Sequence, residues 1–310
     1  MKIIIFGGSG YLGRMLHHHF DQQGHEVLII GRKPAKPGGK TWDGKNLGRW
    51  IHDLEGADVV VNLAGRNVNC RYHGKNKREI FESRINATRT LGQAIHCATR
   101  PPKVWLQMST ATIYAHTFNR SNDEARGTIG GNEFGAPKAW RFSTDVAKAW
   151  EEEADHWSRP GTRLVKLRTA MILSPHAGGV LHMLARLAKL GFGGHSGDGS
   201  QYVSWMHYKD FLASIDWVLS QNDLFGPVNL AAPQPLPNKS FMGFLRRALG
   251  MKWGVSSPHW MLAIGAFFLR TETELLLKSR RVVPGRLLNS GFNFAFPAWE
   301  SAAADLCRDL

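Results

Sequence analysis

Residues 2–6 (KIIIF), followed at once by Gly7-Gly8-Ser9-Gly10-Tyr11-Leu12-Gly13, constrain this chain more than any other feature. A short apolar run rich in β-branched residues suits a parallel strand buried on both faces. The glycines then fall at a GxxGxxG spacing. Gly7 permits a tight turn, Gly10 lets backbone approach a pyrophosphate, and Gly13 lets a helix pack on the strand. Leu12, Met15, Leu16 and Phe20 recur at helical spacing, and residues 26–30 read as a second strand. The start of such a helix offers N–H groups and a positive dipole end to phosphate. Strand, glycine turn, helix and strand form a βαβ unit. That context converts a weak glycine pattern into a dinucleotide site.

The alternation continues. A short helix is expected at 50–54, a strand at 58–62 (DVVVN), a helix at 79–99 and a strand at 104–108. A helix at 144–157 and a strand at 163–168 follow. This order predicts an α/β fold, a Rossmann-type doubly wound parallel sheet, over residues 1–170. Beyond about residue 170 the pattern loosens. Helices are expected at 179–190, 209–220, 240–249 and 258–278, with a glycine-rich loop at 191–199. These predict a smaller, mainly helical C-terminal cap over 171–310, with strands from about 200–232 returning to the sheet. Phe292, Phe294 and Phe296 alternate at period two and read as a terminal strand.

Composition narrows the class. Of 310 residues, 43% are hydrophobic and 21% charged, the balance of a soluble globular protein and not of a disordered chain. The longest apolar run, residues 260–269, is too short to cross roughly 30 Å of hydrocarbon, so no membrane span is expected. Lys2 precedes only four apolar residues, which is no signal-peptide core. Cys70, Cys97 and Cys307 are odd in number and scattered, which argues against a disulfide framework and a zinc site. A cytoplasmic protein with reduced thiols is the expectation. His17-His18-His19 diverge around a helix by about 100° each, so no metal is expected there.

The net charge is +14, from 39 Lys and Arg against 25 Asp and Glu. Cations crowd 66–100 and 246–286. Such an excess attracts anions or an acidic partner, but its ordinary meaning is a solvated face. No nucleic-acid-binding motif accompanies it, so specific nucleic-acid binding is not expected.

Three further segments fall at strand ends. After the second strand stand Gly31-Arg32-Lys33, where a carboxylate would bind the ribose 2′-hydroxyl of NAD. Two cations there suit a 2′-phosphate, so NADP(H) is the expected cofactor. Leu63-Ala64-Gly65 follow Asn62 with side chains small enough for a ligand to pass over the sheet edge. Ser109-Thr110-Ala111-Thr112-Ile113-Tyr114 bring hydroxyls and a phenol to the carboxyl edge, where such sheets bind ligands.

These features resemble the short-chain dehydrogenase/reductase superfamily in its extended, sugar-epimerase-like branch. Trp42-Asp43, Ser83-Arg84, Trp150-Glu151, Arg168, Gly178-Gly179 and Ser204-Trp205-Met206-His207 fall in the order of one atypical branch, the epimerase family. Leu276-Leu277, Val283-Pro284 and residues 287–296 (LLNSGFNFAF) resemble that branch's C-terminal domain of unknown function, placed at about 255–305. The resemblance implies that Arg84 and Glu79 help hold the dinucleotide.

The chain departs from the superfamily at its proton donor, a Tyr four residues before a Lys. None of its five tyrosines has Lys four residues on, and the expected helix positions hold Ser143 and Ala147. The expected function is an NADP(H)-dependent oxidoreductase acting on an unidentified small carbonyl or alcohol. Ser109 or Thr110 would bind the carbonyl, and Tyr114 is the remaining phenolic acid. Arg168 and His207 would line the pocket. The alternative is a non-catalytic NADP(H)-binding sensor or protein-interaction module.

Overall fold

Four consecutive apolar side chains bury β1 (Lys2–Phe6) within the sheet: Ile3, Ile4, Ile5 and Phe6 are completely buried. Each contributes roughly 1.5–3 kcal/mol by leaving water. The computed structural model describes residues 1–32, 40–133, 136–258, 272–308 and 310. In chain order the further strands are β2 (Glu26–Gly31), β3 (Lys40–Thr41), β4 (Val59–Asn62), β5 (Val104–Thr110) and β6 (Arg163–Thr169). Then come β7 (Met171–Leu173), β8 (Tyr202–Val203), β9 (Trp205–His207), β10 (Gly226–Leu230) and β11 (Leu236–Pro237). The main helices are α1 (Tyr11–Gln22), α2 (Gly74–Cys97), α3 (Arg141–His156), α4 (Val180–Leu187), α5 (Tyr208–Ser220) and α6 (Asn238–Ala248).

Seven strands pair in the order β10-β6-β5-β4-β1-β2-β3, all in parallel. The chain therefore reverses its winding direction at β1, which has β2 on one side and β4 on the other. Such a switch point opens a crevice at the carboxyl ends of the strands. Alternate residues of β1 face opposite layers. Ile3 and Ile5 pack with Met15, Leu16 and Phe20 of α1 and Phe211 and Ile215 of α5. Ile4 and Phe6 pack with Ala87, Leu91 and Ile95 of α2 and with Trp42 and Trp50.

The C-terminal half builds a separate core from Leu181, Trp205, Phe241, Leu245 and the terminal helix Trp299–Cys307. The rings of Phe241 and Trp299 stack there at 4.3 Å. Besides helices it holds two strand pairs, β7 with β9 and β8 with β11. β10 belongs to the main sheet.

Two expected elements differ. Residues 292–296 are not a strand, because the backbone N–H groups of Ala295 and Phe296 donate to the Asp210 carboxylate at 2.8 and 3.0 Å. Their alternation serves packing, with the Phe292 and Phe294 rings edge to face at 4.8 Å. Of the helix expected over 258–278, Glu274–Leu277 is helical, and residues 259–271 lie outside the described residues. Among the described residues, no helix is long and apolar enough to cross a membrane.

Candidate functional site

The glycine turn follows β1 at the switch point. Gly7 has φ of 75°, and a Cβ there would lie 2.9 Å from the Ala64 nitrogen and the Leu63 carbonyl carbon. A Cβ on Gly13 would lie 2.4 Å from the Gly8 Cα, so α1 can sit against the turn only as glycine. Gly10 is the N-cap and offers no capping side chain, and the first turn of α1 carries no acidic residue. Arg14 Nη1 donates to the Ser9 carbonyl at 2.8 Å and fixes the loop. Leu12 packs into the core. Tyr11 crosses to the start of α4, where a Cβ on Gly179 would lie 2.6 Å from its hydroxyl oxygen. Uncapped N–H groups, the dipole and a cradle closed to any Cβ together fit a pyrophosphate.

On one side of this turn, Gly31 ends β2 and Arg32 is exposed; Lys33 lies outside the described residues. The nearby Asp43 carboxylate is spent on its own turn, accepting from the N–H groups of Lys45 at 2.8 Å and Asn46 at 2.9 Å. On the other side, the Ala64 N–H donates to Asn62 Oδ1 at 3.1 Å. Next to it, a Cβ on Gly65 would lie 3.3 Å from the Arg84 guanidinium carbon.

Arg84 and Glu79, expected to act together, both meet Arg66, Glu79 at its side chain and Arg84 at its carbonyl. Glu79 is ion-paired with Arg66. Arg84 Nη1 donates to the carbonyls of Arg66 at 3.1 Å and Ile80 at 3.0 Å, and its guanidinium lies 4.9 Å from the Trp150 ring. Burial without a carboxylate partner pulls its pKa down to about 10. A guanidinium lacking a countercharge beside a ligand crevice favours an anion there.

Beneath the edge lies a buried polar network. Arg168 grips Glu151 with Nε and Nη2, each at 2.8 Å, and the Ser109 hydroxyl donates to the same carboxylate at 2.6 Å. Arg168 Nη1 donates to the Tyr114 oxygen at 2.9 Å, and that hydroxyl donates to Asn229 Oδ1 at 2.9 Å. Burial alone would lower the Arg168 pKa, but the Glu151 carboxylate outweighs it and raises it. Burial raises the Tyr114 pKa against the lowering effect of Arg168.

This geometry corrects four expectations. Tyr114 is 2% exposed and its hydroxyl is committed at both ends, so it does not face a cleft as a free acid. Ser109 spends its hydroxyl on Glu151, and Arg168 divides its guanidinium between Glu151 and Tyr114. His207 is fully buried: its Nδ1 accepts from the Lys209 N–H at 3.1 Å, its Nε2 meets Asp305 at 3.1 Å, and its ring stacks on Phe296. Both ring nitrogens serve the fold, so it lines no pocket. Thr110 is half-buried at the end of β5, its hydroxyl accepting from the Thr112 N–H at 3.2 Å. His19 Nε2 meets Asp216 Oδ2 at 2.8 Å.

A second cluster escaped the sequence reading. Lys278 Nζ donates to the Thr112 carbonyl at 3.0 Å and to Thr144 Oγ1 at 3.1 Å. Arg280 Nε donates to Thr112 Oγ1 at 3.0 Å. Ser143 Oγ donates to Glu274 Oε2 at 2.7 Å, and burial raises the Glu274 pKa. Lys278 borders a cleft of about 480 Å³ with His116, Glu133, Thr144 and Trp140. No local motif announces this cluster, because its hydrogen-bonded partners are 131 to 168 residues apart.

Comparison with known proteins agrees with the fold. Residues 3–231 match the NAD dependent epimerase/dehydratase family, and residues 257–306 match a domain of unknown function, DUF1731. The human epimerase family protein SDR39U1 is 30% identical over 311 residues, covering 99% of each chain. The Bacillus subtilis epimerase family protein YfhF is 30% identical over 322 residues, covering 100% of this chain and 99% of its own. A crystal structure of human SDR39U1 with NADPH superposes with a TM-score of 0.87 at 29% identity, covering 100% of both chains. With a seven-stranded parallel sheet, a glycine cradle at its switch point and relatives matched end to end, the chain belongs to the NAD dependent epimerase/dehydratase family.

Proposed function

We propose that this protein binds NADP(H) along the carboxyl edge of the sheet and is an oxidoreductase of a small carbonyl or alcohol compound. The observation that carries the reading is the uncapped N-terminus of α1, set against a turn in which Gly7 and Gly13 leave no room for a Cβ. In this reading the backbone of Gly7, Gly8, Ser9, Gly10, Tyr11, Leu12 and Gly13 holds the pyrophosphate. Gly31, Arg32 and Lys33 receive the ribose 2′-phosphate. Leu63, Ala64 and Gly65 flank the dinucleotide, and Arg84 gives it a buried countercharge. Thr110 is the hydroxyl that meets the substrate oxygen. The related human protein, crystallised with NADPH, supports the choice of cofactor. Bound NADPH would supply the hydride.

The test pairs a fluorescence titration of NADPH with its oxidation against a panel of aldehydes, ketones and quinones. Tight binding with turnover that falls in Thr110→Val is the expected result. A protein that does not bind NADPH overturns the reading. A second reading, binding without turnover, is favoured by Ser143 and Ala147 in place of the usual acid and by the sequestered Tyr114 hydroxyl. Tight NADPH binding with no turnover across the panel would select it.

A further inference from the structure

The start of α3 carries Ser143, Thr144 and Ala147, with neither a Tyr nor a Lys among them. A lysine ammonium nevertheless stands beside that turn of α3, delivered from a segment 134 residues further along the chain. Lys278 reaches Thr144 Oγ1 on α3 and the Thr112 carbonyl just past β5. An ammonium has three N–H groups; two are engaged, and Lys278 borders the cleft of about 480 Å³. Glu274, two residues along from Glu272 on the same segment, is tied to Ser143. The C-terminal segment thus brings an ammonium to Ser143-Thr144 of α3, a turn that encodes none of its own.

We infer that Lys278 is the proton-exchanging group of this cleft, acting on the oxygen of a small carbonyl or alcohol compound. The inference rests on the oxidoreductase reading above. In the reducing direction NADPH, when bound, would supply the hydride to the carbonyl carbon, and the Lys278 ammonium gives its proton to the carbonyl oxygen. The products are the alcohol, oxidised cofactor and a neutral amine, which regains its proton from water.

The charged groups around Lys278 suit this work. Glu274 and Arg280 face it from its own segment, and Glu133 and His116 from the connection between β5 and α3. Burial lowers its pKa most and Arg280 adds to that, while Glu274 and Glu133 oppose; the balance is about 8. A group titrating near the working pH exchanges protons most effectively.

Competitive acetylation tests the inference. NADPH-loaded protein and a lysine-peptide standard are exposed to trace acetic anhydride from pH 6 to 11, and modification of Lys278 is read by mass spectrometry. Lys278 should reach half-maximal reactivity near pH 8, against about 10.4 for the standard. A midpoint equal to the standard's, or no modification of Lys278 while the standard reacts, overturns the inference and leaves the cofactor reading intact. Glu274→Gln should move the midpoint lower, because it removes a carboxylate that favours the ammonium; an unmoved midpoint counts against the proposal. With 1-phenyl-1,2-propanedione as probe, Lys278→Arg should slow NADPH oxidation by at least about 10²-fold while NADPH affinity is retained. Equal rates overturn the inference. No reduction of any compound in the panel of aldehydes, ketones and quinones by the unmutated protein overturns the oxidoreductase reading, and this inference with it.

Discussion

Arg168 holds both carboxylate oxygens of Glu151, with Nε and Nη2 donating at 2.8 Å each, and both side chains are nearly excluded from water. Removing one partner of such a pair strands a buried charge and costs roughly 3–5 kcal/mol. Glu151→Gln and Arg168→Met should each destabilise the protein by about that amount in denaturant unfolding. The folded fraction should keep its NADPH affinity. Unchanged stability with lost NADPH binding would place Arg168 at the cofactor instead.

Tyr114→Phe removes a hydroxyl that accepts from Arg168 and donates to Asn229. Leaving buried polar groups unpaired costs roughly 1–3 kcal/mol. The variant should lose stability of that order and keep its rate of NADPH oxidation. An abolished rate at unchanged stability would restore Tyr114 as the acid.

His207 gives the fold a defined response to acid. The Lys209 N–H needs a lone pair on Nδ1, so the ring is neutral with its proton on Nε2, facing Asp305. Burial lowers its pKa from 6.5 to about 4. The folded state therefore binds fewer protons than the unfolded one between these values, and stability falls as pH drops through that window. The loss is at most roughly 3 kcal/mol at about 1.4 kcal/mol per decade. Depression of the Asp305 pKa acts in the same direction. Urea unfolding from pH 7 to pH 4 should show a smaller loss for His207→Gln than for the unmutated protein. Parallel curves would remove His207 from the acid response.

Legibility in the sequence followed the range of the interactions. β1, β4 and the glycine turn announce themselves, because burial on both faces demands unbroken apolar runs and the cradle demands glycine. The Phe292, Phe294 and Phe296 alternation misled, because period two also describes extended backbone whose N–H groups go to a carboxylate, here Asp210. His207 looked like a pocket residue until Asp305, 98 residues later, claimed its second nitrogen. Glu151, Asn229 and Lys278 carry no local signal as partners, because the groups they bond lie 17, 115 and 166 residues away along the chain.

Gly10 and Gly13 should separate folding from binding. A Cβ on Gly10 would lie 3.4 Å from the Gly7 carbonyl oxygen, an ordinary contact, whereas one on Gly13 would meet Gly8 backbone at 2.4 Å. Gly13→Ala should cost roughly 1–3 kcal/mol through overpacking. Gly10→Ala should leave stability nearly unchanged and weaken NADPH binding, because the methyl group occupies the approach of the pyrophosphate. Thermal unfolding and NADPH titration of both variants check this. Undiminished NADPH affinity in Gly10→Ala would remove the cofactor from this turn.

Calorimetric titration of NADPH and NADH into the unmutated protein and Arg32→Ala tests the account most directly. Arg32 is exposed just past β2, and residues 31–33 include no carboxylate to repel a 2′-phosphate. A hydrogen bond to a charged group is worth about 1.5–3 kcal/mol, roughly 10–150-fold in affinity. NADPH should bind at least about tenfold tighter than NADH by that arithmetic. Arg32→Ala should erase most of the difference while leaving NADH affinity nearly unchanged. Equal affinities for the two cofactors in the unmutated protein would contradict the NADP(H) assignment.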